Sequence, residues 1–181
     1  MISHKYKCIF IHLGRTGGTS IEFAFGKTII GPEKHWPPKI MKIKYKDYWD
    51  EYYKFTVIRN PYDWVVSRYF HNKQINYEWY EKTFNIDIRQ LSFLDFLKTL
   101  KSSKINYYLG DLNEIDYIIK FEELQKGFDF VCNQIGKPRK LLEKKEHTIH
   151  EPYKNYYGKD EIEIVNEKFR GWYETFGYEK C

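Results

Sequence analysis

The sequence predicts an α/β fold, a central parallel sheet flanked by helices, from three observations. Short apolar runs rich in β-branched and aromatic residues recur along the chain. Stretches of helical periodicity lie between them. No composition shift, low-complexity stretch or internal repeat divides the 181 residues, so one domain is expected over 1–181. A chain of that size removes about 70% of its unfolded surface on folding. Strands alternating with crossover helices place the strands parallel.

The first strand is expected at 6–13 (YKCIFIHL), followed by a tight loop at 14–18 (GRTGG). Residues 19–25 (TSIEFAF) read as a short helix with Thr19 or Ser20 near its N-cap. Three prolines and a glycine make 31–38 (GPEKHWPP) a loop. The Lys- and aromatic-rich stretch 39–53 reads as helix, and 53–58 (YKFTVI) as the second strand. Asn60 caps and Pro61 starts a helix over 61–73, because Tyr62, Val65, Val66, Tyr69 and Phe70 recur at helical spacing. Residues 74–91 show no clear period. A helix at 92–100 starts at Ser92, a third strand is expected at 116–121 (DYIIKF), and 122–135 is helix stopped by Gly136 with Pro138 beyond. Residues 139–157 read as basic loop, and 159–176 as a last helix ended by Gly177.

Lys plus Arg is 30 against 25 for Asp plus Glu, a net charge of +5. That balance suits an anionic ligand and is too mild to demand nucleic acid. The first apolar run, 8–13, is six residues long and is followed by a polar, Gly-rich turn, which does not read as a signal peptide. No run approaches the ~20 apolar residues of a membrane span. A soluble, cytoplasmic chain is therefore expected. The cysteines Cys8, Cys132 and Cys181 are odd in number and widely spaced, which fits thiols in a reducing compartment, with Cys8 and Cys132 buried.

A strand running into a Gly-rich turn and then a helix is a phosphate cradle: loop N–H groups and the helix start favour an anion. Here the P-loop-like run is Gly14-Arg15-Thr16-Gly17-Gly18-Thr19-Ser20. Gly17 and Gly18 allow close approach, and Thr19 and Ser20 add hydroxyls. A nucleotide-kinase loop carries a Lys directly before its Ser or Thr. This loop has none there; its cation is Arg15, placed earlier, which suits a shorter anion than a triphosphate. The dinucleotide pattern G-x-G-x-x-G is absent. Arg59 stands at the end of the second strand, where ligands of open α/β sheets bind, and offers a bidentate fork to phosphate. Ser67, two turns into the next helix, reads as a hydroxyl available to a ligand.

On these residues the chain resembles the sulfotransferases that use 3′-phosphoadenosine 5′-phosphosulfate (PAPS), in the branch holding the carbohydrate sulfotransferases and their small bacterial and viral relatives. FIHLGRTGGTSIE at 10–22 looks like their 5′-phosphosulfate loop, and FTVIRNPYDWVVSRY at 55–69 like their 3′-phosphate site, with Arg59 and Ser67 at the two binding positions. DYIIKFEEL at 116–124 and the ending at 156–179 are similar to a third segment and to the terminal helix. Arg15 stands where many relatives have Lys.

The resemblance implies sulfuryl transfer from PAPS to a hydroxyl or amine acceptor, with adenosine 3′,5′-bisphosphate as product and no metal. Arg15, Thr16, Gly17, Gly18, Thr19 and Ser20 would hold the 5′-phosphate, and Arg15 would neutralise charge on the leaving oxygen. A His suits the general base. His35 is the first choice, since relatives often carry a Lys-His pair, here Lys34-His35; Glu33 is the runner-up. His12 is expected to pack or orient the loop, and His71 to lie at the surface. His147 and His150, three apart, read as solvated loop. Tyr, Trp and Lys are dense in 36–53 and 74–84, which suits a saccharide or glycan acceptor and follows equally from compositional bias. The rival readings are a P-loop-type nucleotide or small-molecule kinase, a non-catalytic nucleotide- or nucleic-acid-binding module, and a sulfotransferase fold without turnover.

Overall fold

The computed structural model describes residues 1–27, 29–145 and 148–181. Among these, four strands form one open sheet and nine α-helices accompany it. The strands are β1 (Ile2–Ser3), β2 (Cys8–Ile11), β3 (Tyr53–Ile58) and β4 (Tyr117–Lys120), in sheet order β1-β2-β3-β4. β2, β3 and β4 are parallel, as expected, but β1 runs antiparallel to β2. The sheet is therefore mixed. The N-terminal residues fold back as a hairpin whose turn places Lys7 at φ 45. No helix among the described residues is long and apolar enough to cross a membrane.

The chain divides into two compact units, Met1–Arg59 with Ile105–Glu146, and Asn60–Lys104 with His147–Cys181. The first holds the whole sheet and the helices α1 (Gly18–Ala24), α2 (Pro38–Lys44), α6 (Ile105–Leu109) and α7 (Leu124–Gln134). Strand side chains alternate between faces. Cys8, Phe10, Phe55, Val57 and Ile119 pack with Ile21 and Ala24 of α1 and with Phe128, Val131 and Cys132 of α7. On the other face Ile9 and Ile11 pack with Met41, Trp49 and Tyr52. Each large apolar side chain so buried contributes about 1.5–3 kcal/mol. Cys8 and Cys132 are buried as expected, and burial pushes the Cys8 thiol up to about 12.

The helix expected over 39–53 is only α2. Beyond it the chain turns so that Trp49 (2% exposed) and Tyr52 (7%) enter the core. The buried Lys54 ammonium donates to the carbonyls of Trp49 (2.9 Å) and Tyr52 (2.8 Å) and so satisfies this turn. Those aromatics are core, not an acceptor surface.

The second unit is helical: α3 (Pro61–Gln74), α4 (Tyr77–Phe84), α5 (Phe93–Thr99), α8 (Lys159–Lys168) and α9 (Arg170–Phe176). Asn60 caps α3 through Oδ1, which accepts from the Tyr62 N–H at 2.9 Å, and Ser92 caps α5 the same way from Asp95 at 3.1 Å. α4 occupies part of the stretch that showed no period. The single helix expected at 159–176 is two, broken at Phe169, which is buried at 3% beside Trp172 and Tyr173.

Candidate functional site

Parallel pairing carries the ends of β2, β3 and β4 to one edge of the sheet, and three side-chain groups meet there. The glycine loop follows β2, Arg59 follows β3, and Phe121 follows β4. Arg59 Nη1 donates to the Arg15 carbonyl at 3.0 Å, and the guanidinium lies 4.1 Å over the Phe121 ring. Phe121 also closes on the loop: a Cβ at Gly17 would stand 3.2 Å from its ring and 2.7 Å from Leu124 Cδ2. Ring face and carbonyl together hold the Arg59 cation at the glycine turn.

The loop backbone is held in an unusual shape. Gly17 has φ 79, which glycine adopts without cost, but Arg15 sits at φ 65. A non-glycine residue in that region costs on the order of 1–3 kcal/mol, and such strain concentrates at functional sites. Thr16 is fully buried and its hydroxyl donates to the Leu13 carbonyl at 2.6 Å, so it braces the loop from within. Gly17 is the N-cap of α1, which puts Thr19 and Ser20 in the first turn instead of at the cap. Ser20 is 6% exposed, and its Oγ accepts from the Lys145 N–H at 3.3 Å. Thr19 is half-buried and lines a cavity beside the loop.

His12 does orient the loop, with a partner that sequence reasoning missed. Its Nδ1 donates to Glu22 Oε1 at 2.7 Å, and both side chains are 2% exposed. Burial pushes the His12 pKa down, against the opposing pull of Glu22. The far edge of the ring lies against Gly18, where a Cβ would come within 2.1 Å of Cδ2. Only glycine fits there. Glu22 lies in the short helix expected at 19–25, and nothing local in the sequence marks it as a partner of His12.

His35 reaches the same place from the turn Pro32–His35. Its Nδ1 lies 3.2 Å from the His12 carbonyl, its ring centroid 4.5 Å from that of His12, and its ring 3.7 Å from a Cβ built at Gly14. A carbonyl only accepts, so Nδ1 carries the proton and Nε2 is the basic nitrogen. The runner-up base, Glu33, is exposed on the same turn.

No family model, no curated protein and no solved structure matches this chain. The site therefore rests on its own geometry. Six expected residues, Arg15, Thr16, Gly17, Gly18, His35 and Arg59, gather around the loop, with Thr19 and Ser20 in the turn that follows. Ser67 lies on α3 in the second unit, 2% exposed and already engaged within the protein, so the idle hydroxyl expected from sequence is not what the structure holds. His150 stacks on Phe70 at 5.5 Å between centroids, and His71 pairs with the Asn76 amide at 3.1 Å. His147 is outside the described residues. Phe121 was legible in sequence as the last residue of the third strand expected at 116–121, and not as part of the site.

Proposed function

We propose that the protein is a PAPS-dependent sulfotransferase on a P-loop-like α/β fold. The observation that carries this reading is the Arg59 guanidinium at 3.0 Å from the Arg15 carbonyl. It brings the cation expected for one phosphate of the cofactor to the loop expected for the other. The strained Arg15 backbone supports the same reading. In the reaction an acceptor oxygen bonds to sulfur as the bond from sulfur to the 5′-phosphate oxygen breaks. The acceptor proton passes to His35 Nε2, and adenosine 3′,5′-bisphosphate leaves. Positioning and charge stabilisation by Arg15, Arg59 and the loop amides supply the catalysis. A cytoplasmic setting belongs to the same reading, supported by the buried thiols of Cys8 and Cys132.

Calorimetry with adenosine 3′,5′-bisphosphate tests the reading. The full chain should bind it, and Arg59→Ala should weaken binding by about 1.5–3 kcal/mol, the worth of a charged hydrogen bond. Unchanged affinity removes Arg59 from the site. Binding of Mg²⁺-ATP in place of the bisphosphate turns the assignment to a nucleotide kinase.

A further inference from the structure

The two sides of the sheet end differently. On one side β1 is only two residues long and antiparallel to β2. On the other, β4 pairs in parallel with β3 and, among the described residues, with no other strand. Asp116 extends that pairing. Its N–H donates to the Lys54 carbonyl at 2.9 Å, and its Oδ2 accepts from the Lys54 N–H at 2.6 Å. Alternate residues of an edge strand turn their N–H and C=O groups away from the sheet, a template for one more strand. Among the described residues no backbone group from outside the sheet bonds to Tyr117, Ile118 or Ile119. The 3-10 turns Leu112–Glu114 and Phe121–Glu123 bound the strand on either side.

The side chains of this edge are arranged as their own complement. Asp116 and Lys120 stand two residues either side of Ile118, so these three share one face. Both charged residues are exposed, and Ile118 is half-buried. Tyr117 and Ile119 lie on the opposite face, in the cluster with α1 and α7. When a second copy pairs antiparallel with Ile118 on the two-fold axis, Ile118 faces Ile118. Asp116 of each copy then faces Lys120 of the other, and symmetry makes that pair twice. Tyr117 faces Ile119 of the second copy. Opposite charges and apolar pairs across an antiparallel ladder are favourable, and like charges are not. A shift of two residues in either direction sets a charge against Ile118 instead. Phe130 of α7, exposed and 4.4 Å from the Tyr117 ring between centroids, adds apolar surface beside the edge. We propose that β4 is the interface of a symmetric dimer, in which two copies of this chain join edge to edge into one continuous sheet. The inference is independent of the sulfotransferase reading. The paired segment is short, so the association is reversible and depends on concentration.

Sedimentation velocity of the full chain across a concentration series tests the proposal, and a monomer–dimer equilibrium is expected. Lys120→Glu sets like charges opposite one another at both ends and should weaken dimerisation at least about tenfold, whereas Lys120→Arg should retain it. Unchanged thermal unfolding of Lys120→Glu distinguishes lost pairing from lost fold. Cross-linking reads the register separately. Cys181 is the exposed native thiol, so the background is Cys181→Ser. There Ile118→Cys puts one new thiol of each copy at the axis, where antiparallel Cα atoms stand about 4.5–5.5 Å apart, within disulfide reach. Oxidation with copper phenanthroline should yield a covalent dimer, and Lys126→Cys, at an exposed position on α7, should not. A chain that stays monomeric throughout overturns the proposal and leaves the edge to an extended peptide of another protein. A dimer that Lys120→Glu leaves intact overturns it too, as does a thiol at 118 that cross-links no better than one at 126.

Discussion

In the sheet unit four of the buried polar side chains, Thr16, Ser20, His12 and Glu22, gather around one loop, beside an arginine held in a left-handed backbone. In the helical unit buried and half-buried tyrosine hydroxyls are spread over separate elements. Tyr62 donates to Asn166 at 2.7 Å, Tyr69 to the Leu91 carbonyl at 2.7 Å and Tyr157 to the Tyr62 carbonyl at 2.8 Å. Both arrangements satisfy buried polar groups, apart from the Tyr173 hydroxyl of the helical unit. The scattered hydroxyls tie helices to one another and to loops, and ask nothing unusual of the backbone. The gathered ones constrain a single turn, with a histidine and an arginine held at its edge. Concentration of polar groups on a strained loop separates a site from a scaffold more clearly than aromatic content does.

The largest effect should fall on the scaffold. Phe96 is fully buried among Tyr69 and Tyr80, and Phe96→Ala should cost about 3–5 kcal/mol in a denaturant titration. A loss below about 1 kcal/mol would mean the helical unit is loosely packed, and the contrast would weaken. His35→Ala reverses the pattern. It should lower kcat for sulfuryl transfer by ~10²-fold while leaving the unfolding midpoint nearly unchanged. Near-normal turnover would move the base to Glu33 or elsewhere.

Gly18→Ala strikes the junction of stability and site. The new methyl meets a His12 ring pinned by Glu22 and stacked on Phe10 at 5.4 Å, so it cannot be accommodated by a rotamer change. It should cost about 1–3 kcal/mol and weaken bisphosphate binding as well. Retained affinity with full stability would show that the ring can yield.

The smallest effect is a pH slope. Burial lowers the His12 pKa, so the folded protein resists a proton that the unfolded chain accepts near its ordinary 6.5. Unfolding then takes up a proton, and stability falls as pH drops through that value. His12→Gln should flatten the stability–pH curve between about pH 7 and 5. An unaltered slope would assign the acid sensitivity to other groups.

Much of this was legible along the chain. The second strand has the bounds that its apolar run predicts, Tyr53–Ile58, and the caps at Asn60 and Ser92 are where their chemistry puts them. Arg59 could be placed at the loop because strand ends of a parallel sheet share an edge. What stayed hidden was set by distant partners. Two residues of β1 are too few to show a period, and their antiparallel pairing depends on β2. The turn after α2 exists because Lys54, in another element, satisfies its carbonyls. Glu22 gains its role from a histidine ten positions earlier, which only the folded chain brings within reach.

The contact between the His12 ring and Gly18 joins those two positions in a single volume. Neither can grow unless the other shrinks, so a drift toward larger residues in the turn has to begin in the strand. A chain carrying a smaller residue at position 12 could accept alanine at 18, but it would leave the Glu22 carboxylate without the ring that shields it. Selection on this loop therefore acts on three residues at once, and single changes at any of them meet a barrier that paired changes avoid.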